Sequence, residues 1–160
     1  MSYKNENMKM IELHENGLDI QFRIRENGVV ELADFSSQEV KKAVMEPKDD
    51  ICYPAVEIHR SGTGSLNMHA YKNNINQSSV DFVYENHELK AQDGGKELEI
   101  VMISPEMLKA VYHMRLFDGV PAVQTWTEII NEGSEDQGLT YVSSFMYQGI
   151  SRGGEKPYYK

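Results

Sequence analysis

The sequence predicts an all-β protein built as a sandwich of two packed antiparallel sheets. Three observations lead there. Apolar residues recur at every second position in segment after segment, clusters of turn-forming residues separate those segments, and no internal repeat interrupts them. The strand-to-strand spacing of roughly 8–12 residues is the spacing of sandwiches.

The clearest element is "LDIQFRI" at 18–24, where Leu18, Ile20, Phe22 and Ile24 share one face and Asp19, Gln21 and Arg23 the other. Glu26-Asn27-Gly28 and then "VVELADF" (29–35) follow, which reads as a hairpin closed by an Asn-Gly turn. Further strands are expected at "KMIEL" (9–13), "AVEIHR" (55–60), "SLNMHAY" (65–71), "SVDFVY" (79–84) and "ELEIVMI" (97–103). Between them lie "SGTG", "NNINQ" and "AQDGGK", all turn formers. "SSQEVKKAV" (36–44) can form one or two helical turns capped by Ser36 or Ser37. "SPEMLKAVYHMRLF" (104–117) opens like a helix, with Ser104 as cap and Pro105 at the first helical position. Its later part alternates, with Leu108, Ala110, Tyr112, Met114 and Leu116 against Lys109, Val111, His113, Arg115 and Phe117, so it is read as a strand. Two more runs flank a polar, glycine-bearing turn in "GVPAVQTWTEIINEGSEDQGLTYVSSF" (119–145). About ten strands result, and a single open sheet of them would leave one apolar face in water, so two packed sheets in one domain spanning 1–160 are expected.

Composition narrows the function. Sixteen basic and 25 acidic side chains give a net charge of −9, which opposes binding to nucleic acid or to anionic membranes. A single cysteine, Cys52, rules out an intrachain disulfide. The N-terminal segment lacks the apolar core of a secretory signal, and no apolar run is long enough to span a membrane as a helix, so a cytoplasmic protein is expected.

Motifs for chemistry are scarce. No glycine-rich phosphate loop and no Gly-x-Ser-x-Gly elbow occur, and "SGTGS" (61–65) carries no lysine and opens no helix. The five histidines (14, 59, 69, 87 and 113) show no metal-ligand spacing. His59 and His69 would face each other if 57–69 formed a hairpin, but two imidazoles without a third ligand are more simply two solvent-facing strand residues. Cys52 lacks an activating neighbour. The acidic pairs Asp49-Asp50 and Glu135-Asp136 sit in turn-like sequence, where solvated charge is the ordinary explanation. No catalytic residue, metal site or cofactor is expected in this chain.

The segment "FDGVPAVQTWTEIINEGSEDQGLTYVSSF" resembles the end of the N-terminal domain of glycoside hydrolase family 36, the α-galactosidases. "GVVELADF" (28–35), "YPAVEI" (53–58) and "KELEIVM" (96–102) fall in the order that family shows, so the resemblance covers roughly residues 18–149. It implies a β-supersandwich like that of galactose mutarotase. It also implies a non-catalytic domain that braces a separate (β/α)8 barrel, where two aspartates carry out a retaining double displacement on a terminal α-galactoside. Such a barrel needs at least about 200 residues, so the catalytic pair is expected outside this chain. A homo-oligomer is implied as well. Many members carry an Asp-Phe-Arg-x-Pro-Ala segment whose aspartate and arginine reach a sugar pocket; here the matching residues are Asp50-Ile51-Cys52-Tyr53-Pro54-Ala55. Asp50 is therefore the one candidate substrate-binding residue, a carboxylate able to accept sugar hydroxyls, while Cys52 supplies no charged donor where the arginine would stand. A plain turn aspartate is the alternative. The family's arginine in the 119–131 strand is likewise replaced, by Gln124-Thr125.

Two other functions fit the same fold. One is a free-standing carbohydrate-binding or oligomerisation module. The other is a mutarotase-like enzyme, which needs a histidine–carboxylate pair on a concave sheet face, and none stands out in the sequence. Trp126, the only tryptophan, is two residues from Gln124 and from Glu128, so the three should share a side of one strand. They form either a sugar platform or an interface cover, and the resemblance favours the cover.

Overall fold

The computed structural model describes residues 9–37, 53–64 and 77–147. Within them the chain is an all-β sandwich, as predicted. Its strands are β1 (Lys9–Glu15), β2 (Leu18–Ile24), β3 (Val30–Ser37), β4 (Ile58–Arg60), β5 (Val83–Gln92), β6 (Gly95–Ile103), β7 (Leu108–Phe117), β8 (Val123–Asn131) and β9 (Leu139–Val142), with one helical turn, α1 (Gln77–Val80), before β5. A three-stranded antiparallel sheet, β1-β2-β3, packs against a four-stranded one, β5-β6-β7-β8, and β4 pairs with β9 in a third, two-stranded sheet.

The period-two pattern decides which side of each strand is buried. Ile11 and Leu13 of β1, the four apolar residues of β2, and Val30 and Leu32 of β3 enter the core. From the other sheet come Leu98, Ile100 and Met102 of β6 and Leu108, Ala110, Tyr112, Met114 and Leu116 of β7. Phe22 and Tyr112 meet edge to face at 5.7 Å and 64° in the centre, both essentially solvent-free. Such a pair adds about 0.5–1.5 kcal/mol beyond its buried area.

The turns are local decisions. β1 and β2 are joined by Asn16-Gly17, both at positive φ (52° and 82°), a two-residue hairpin loop of the Asn-Gly kind. The predicted Asn27-Gly28 turn is present: the Gly28 amide donates to the Arg25 carbonyl at 2.9 Å with φ +86°. The Gly28 carbonyl then accepts from the Tyr84 amide at 2.8 Å, tying the hairpin to β5.

Several expectations are corrected. "SVDFVY" does not begin as a strand, because residues 77–80 form α1. Ser78 and Ser79 are buried there and use their hydroxyls as partners for β4: Ser79 Oγ accepts from the Ile58 amide (2.9 Å) and Ser78 Oγ from the Arg60 amide (3.2 Å). One helical turn thus satisfies a strand edge that another strand would otherwise pair. β5 instead continues to Gln92, through the polar "ENHELKAQ". In 104–117 the strand reading holds from Leu108 onward, while Ser104–Met107 is a turn in which the Met107 amide donates to the Ser104 carbonyl (3.0 Å). "AVEIHR" is strand only from Ile58 to Arg60. The candidate helix at 36–44 is strand at its first two residues, and 38–44 lies outside the described residues, as does "SLNMHAY" at 65–71.

Ion pairs fix the small sheet to the large one. The buried Arg60 guanidinium contacts Asp81 (3.1 Å) and Glu106 (2.6 Å). Partial burial pushes the Glu106 carboxyl up, but the hydrogen bonds from Arg60, its own backbone amide and Ser104, with the Arg60 charge, together outweigh it and the group ends below its ordinary pKa.

Candidate functional site

The core takes one face of the four-stranded sheet, chiefly that of β6 and β7; the opposite face carries a cluster of titratable side chains. The alternation that buries Leu98 and Ile100 turns Glu97 and Glu99 outward from β6, and the alternation that buries Tyr112 and Met114 turns His113 outward from β7. Strand pairing sets His113 opposite Glu99 on one side and opposite Trp126 of β8 on the other. Trp126 lies flat on the imidazole, with centroids 4.5 Å apart and planes within 5°.

Both imidazole nitrogens face carboxylates. His113 Nδ1 is 2.8 Å from Glu97 Oε1 and 3.9 Å from Glu99 Oε1; Nε2 is 3.8 Å from Glu128 Oε1. Nε2 is buried and makes no hydrogen bond. The second oxygen of each β6 carboxylate is held from β5: Gln92 Nε2 donates to Glu97 Oε2 (2.8 Å) and Lys90 Nζ to Glu99 Oε2 (2.5 Å). That bond to Glu99 raises the ordinary pKa of the Lys90 ammonium, which stays charged. Two carboxylates on one strand are therefore each anchored by one oxygen and present the other to a single imidazole nitrogen.

This arrangement presents charged ligand atoms around an enclosed imidazole rather than an open aromatic face. His113 is only 7 % exposed, and Trp126 and the β6 carboxylates enclose its ring. Glu97, Glu99 and His113 each place one ligand atom within 4.8 Å of the others, close enough to share a metal ion.

Asp50 and Cys52, the pair that bears on the expected sugar contact, lie outside the described residues, as does His69. The end of that segment is described and is tied to β3: the Tyr53 amide donates to Glu31 Oε1 (3.0 Å) and the Ala55 amide to the Val30 carbonyl (2.7 Å). His59 is engaged by Glu57, with Nε2 2.8 Å from its Oε1. Glu135 and Asp136 are exposed in the loop before β9. Gln124, Trp126 and Glu128 lie on one side of β8 as expected, opposite Arg115, His113 and Val111. The tryptophan spends one face on His113, so the trio is not an open platform.

The sequence reading missed the Glu97–Glu99–His113 cluster and, with it, a close histidine–carboxylate pair. The Glu-x-Glu of "KELEI" and the outward phase of His113 were signals, but the register that joins them was not. No family model matches the chain, and no curated protein matches it either.

Proposed function

We propose that this chain is the N-terminal, non-catalytic sandwich domain of a retaining glycoside hydrolase of the α-galactosidase type. It braces the catalytic barrel and builds the oligomer interface, and Asp50 is its contribution to the α-galactoside pocket. The reading rests on the ordered motifs from "GVVELADF" to "LTYVSSF" and on a sandwich whose strands carry them.

The observation that carries it is a half-exposed apolar strip among the described residues. Leu139, Tyr141 and Phe145 are 41 %, 50 % and 42 % exposed within one seven-residue stretch on and after β9. Isolated exposed apolar residues are ordinary, whereas large ones gathered in one segment mark a surface that meets another body. The rigid carboxylates of the described sheets support a non-catalytic role: Glu97 and Glu99 are already committed to Gln92, Lys90 and His113.

The test is Leu139→Glu combined with Tyr141→Glu. Exposed substitutions of this kind cost about 0.5 kcal/mol or less each, so the pair should move the thermal midpoint of the 160-residue chain by no more than roughly 4 °C. The product of the complete reading frame should lose at least roughly tenfold in α-galactosidase activity, or its assembly state, because a buried unpaired carboxylate is costly at a desolvated interface. Unchanged activity and assembly would refute the proposed interface.

A further inference from the structure

We infer that Glu97, Glu99 and His113 form a binding site for a zinc-class divalent cation on the outer face of the four-stranded sheet. This inference does not depend on the α-galactosidase reading.

One imidazole and two carboxylates suit a borderline ion such as Zn²⁺, whereas Ca²⁺ demands six to eight oxygens. Ligands about 2.1 Å from a tetrahedral zinc lie about 3.4 Å from one another. His113 Nδ1 is 2.8 Å from Glu97 Oε1 and 3.9 Å from Glu99 Oε1, so one contact opens and the other closes by about half an ångström, within side-chain rotation alone.

The surroundings then match what a ligating histidine needs. Metal on Nδ1 forces the remaining proton onto Nε2, and a ligating imidazole ordinarily donates that proton to a carboxylate. His113 Nε2 is buried without a hydrogen bond, and Glu128 Oε1 is 3.8 Å away on the neighbouring strand. Gln92 and Lys90 hold the outer oxygens of Glu97 and Glu99, fixing both carboxylates with their inner oxygens toward Nδ1. Arg115, the cation directly across from Glu97, turns away: its Nη2 donates to the Asp93 carbonyl at 3.0 Å and its guanidinium lies over the Phe117 ring. The local charge is Glu97, Glu99 and Glu128 against Lys90, which favours a bound dication.

Trp126 makes the site self-reporting. It is the chain's only tryptophan and stacks on the ligating ring, so its emission should respond to whatever occupies Nδ1. Zn²⁺ alone, titrated into metal-stripped 160-residue chain at pH 7.5, should give a saturable emission change with one equivalent bound, reversed by EDTA. Co²⁺ should quench the same emission and develop the visible bands of a low-coordinate site. Glu97→Gln and His113→Asn should weaken binding by at least about a hundredfold, and Glu128→Gln by about ten- to a hundredfold through the outer hydrogen bond. Glu99→Gln changes a partly exposed residue, so it keeps the test valid if either buried variant fails to fold; it should weaken binding by at least roughly tenfold. Emission unchanged up to millimolar Zn²⁺ would overturn the inference. So would affinities unaltered in the folded Glu97→Gln and Glu99→Gln variants, since the ion would then sit elsewhere.

Discussion

Tyr112→Ala should destabilise the protein by about 3–5 kcal/mol, the cost of emptying a fully buried aromatic site. Tyr112 stands at the centre of β7, 1 % exposed, where it fills the space between the sheets and meets Phe22 edge to face. The flanking residues Ala110 and Met114 are pinned in the same ladder, so the cavity cannot collapse cheaply. The hydroxyl contributes little. It is buried beside Thr125 in geometry too poor to count as a hydrogen bond, and burial pushes the phenol's pKa well above its ordinary value. Tyr112→Phe should therefore stay within about 1 kcal/mol of the parent, because an unpartnered buried polar group is a liability. Urea unfolding of the three proteins, with equal slopes, measures both differences. A loss below about 1 kcal/mol in Tyr112→Ala would mean the two sheets do not share this core.

Gly95→Ala should cost about 2–4 kcal/mol by a different mechanism. A Cβ on Gly95 would sit 1.9 Å from the Leu116 carbonyl oxygen and 3.2 Å from Phe117 Cα. These are backbone atoms of the paired strand, so no side chain can swing aside; the β6–β7 ladder itself must part where Gly95 pairs with Phe117. Gly94 is the internal control. A methyl added there would meet open space, but the residue sits at φ +74°, so Gly94→Ala should cost only the left-handed backbone penalty of about 1–2 kcal/mol. Gly95 also lies at positive φ (157°), so its excess loss of thermal midpoint over Gly94→Ala measures the steric exclusion that adds to backbone strain. Equal midpoints would show that the hairpin does not approach Leu116 as described.

The fold was legible wherever one face of a strand is buried and the other is not. β2 and β7 read directly from their alternation, and β7 did so despite Ser104-Pro105, because a fully buried face outweighs a two-residue helix signal. Only the first two residues of β5 fall in the predicted strand at 79–84, and the rest of it was missed for the converse reason. It is an edge strand with "ENHELKAQ" largely in solvent on both sides, so it shows little apolar period. α1 was missed because Ser78 and Ser79 hold their places through hydroxyl bonds to β4, an interaction between segments far apart in sequence. The pairing of β4 with β9 was illegible for the same reason.

The candidate site was partly legible. The outward phase of His113 and the grouping of Trp126 with Glu128 follow from period two alone. Their meeting with Glu97 and Glu99 depends on register, and the register between β6 and β7 passes through the irregular turn at Ser104–Met107, where Met107 takes φ 63°. No sequence rule counts residues reliably through such a turn.

The α-galactosidase reading is tested most directly by hydrolysis of an aryl α-galactoside by two proteins, the 160-residue chain and the product of the complete reading frame that contains it. The chain alone should release no phenol above background. The complete product should turn over and liberate galactose first as the α-anomer, as a double displacement requires. Turnover by the chain alone, or a complete product inactive on every α-galactoside tried, would contradict it.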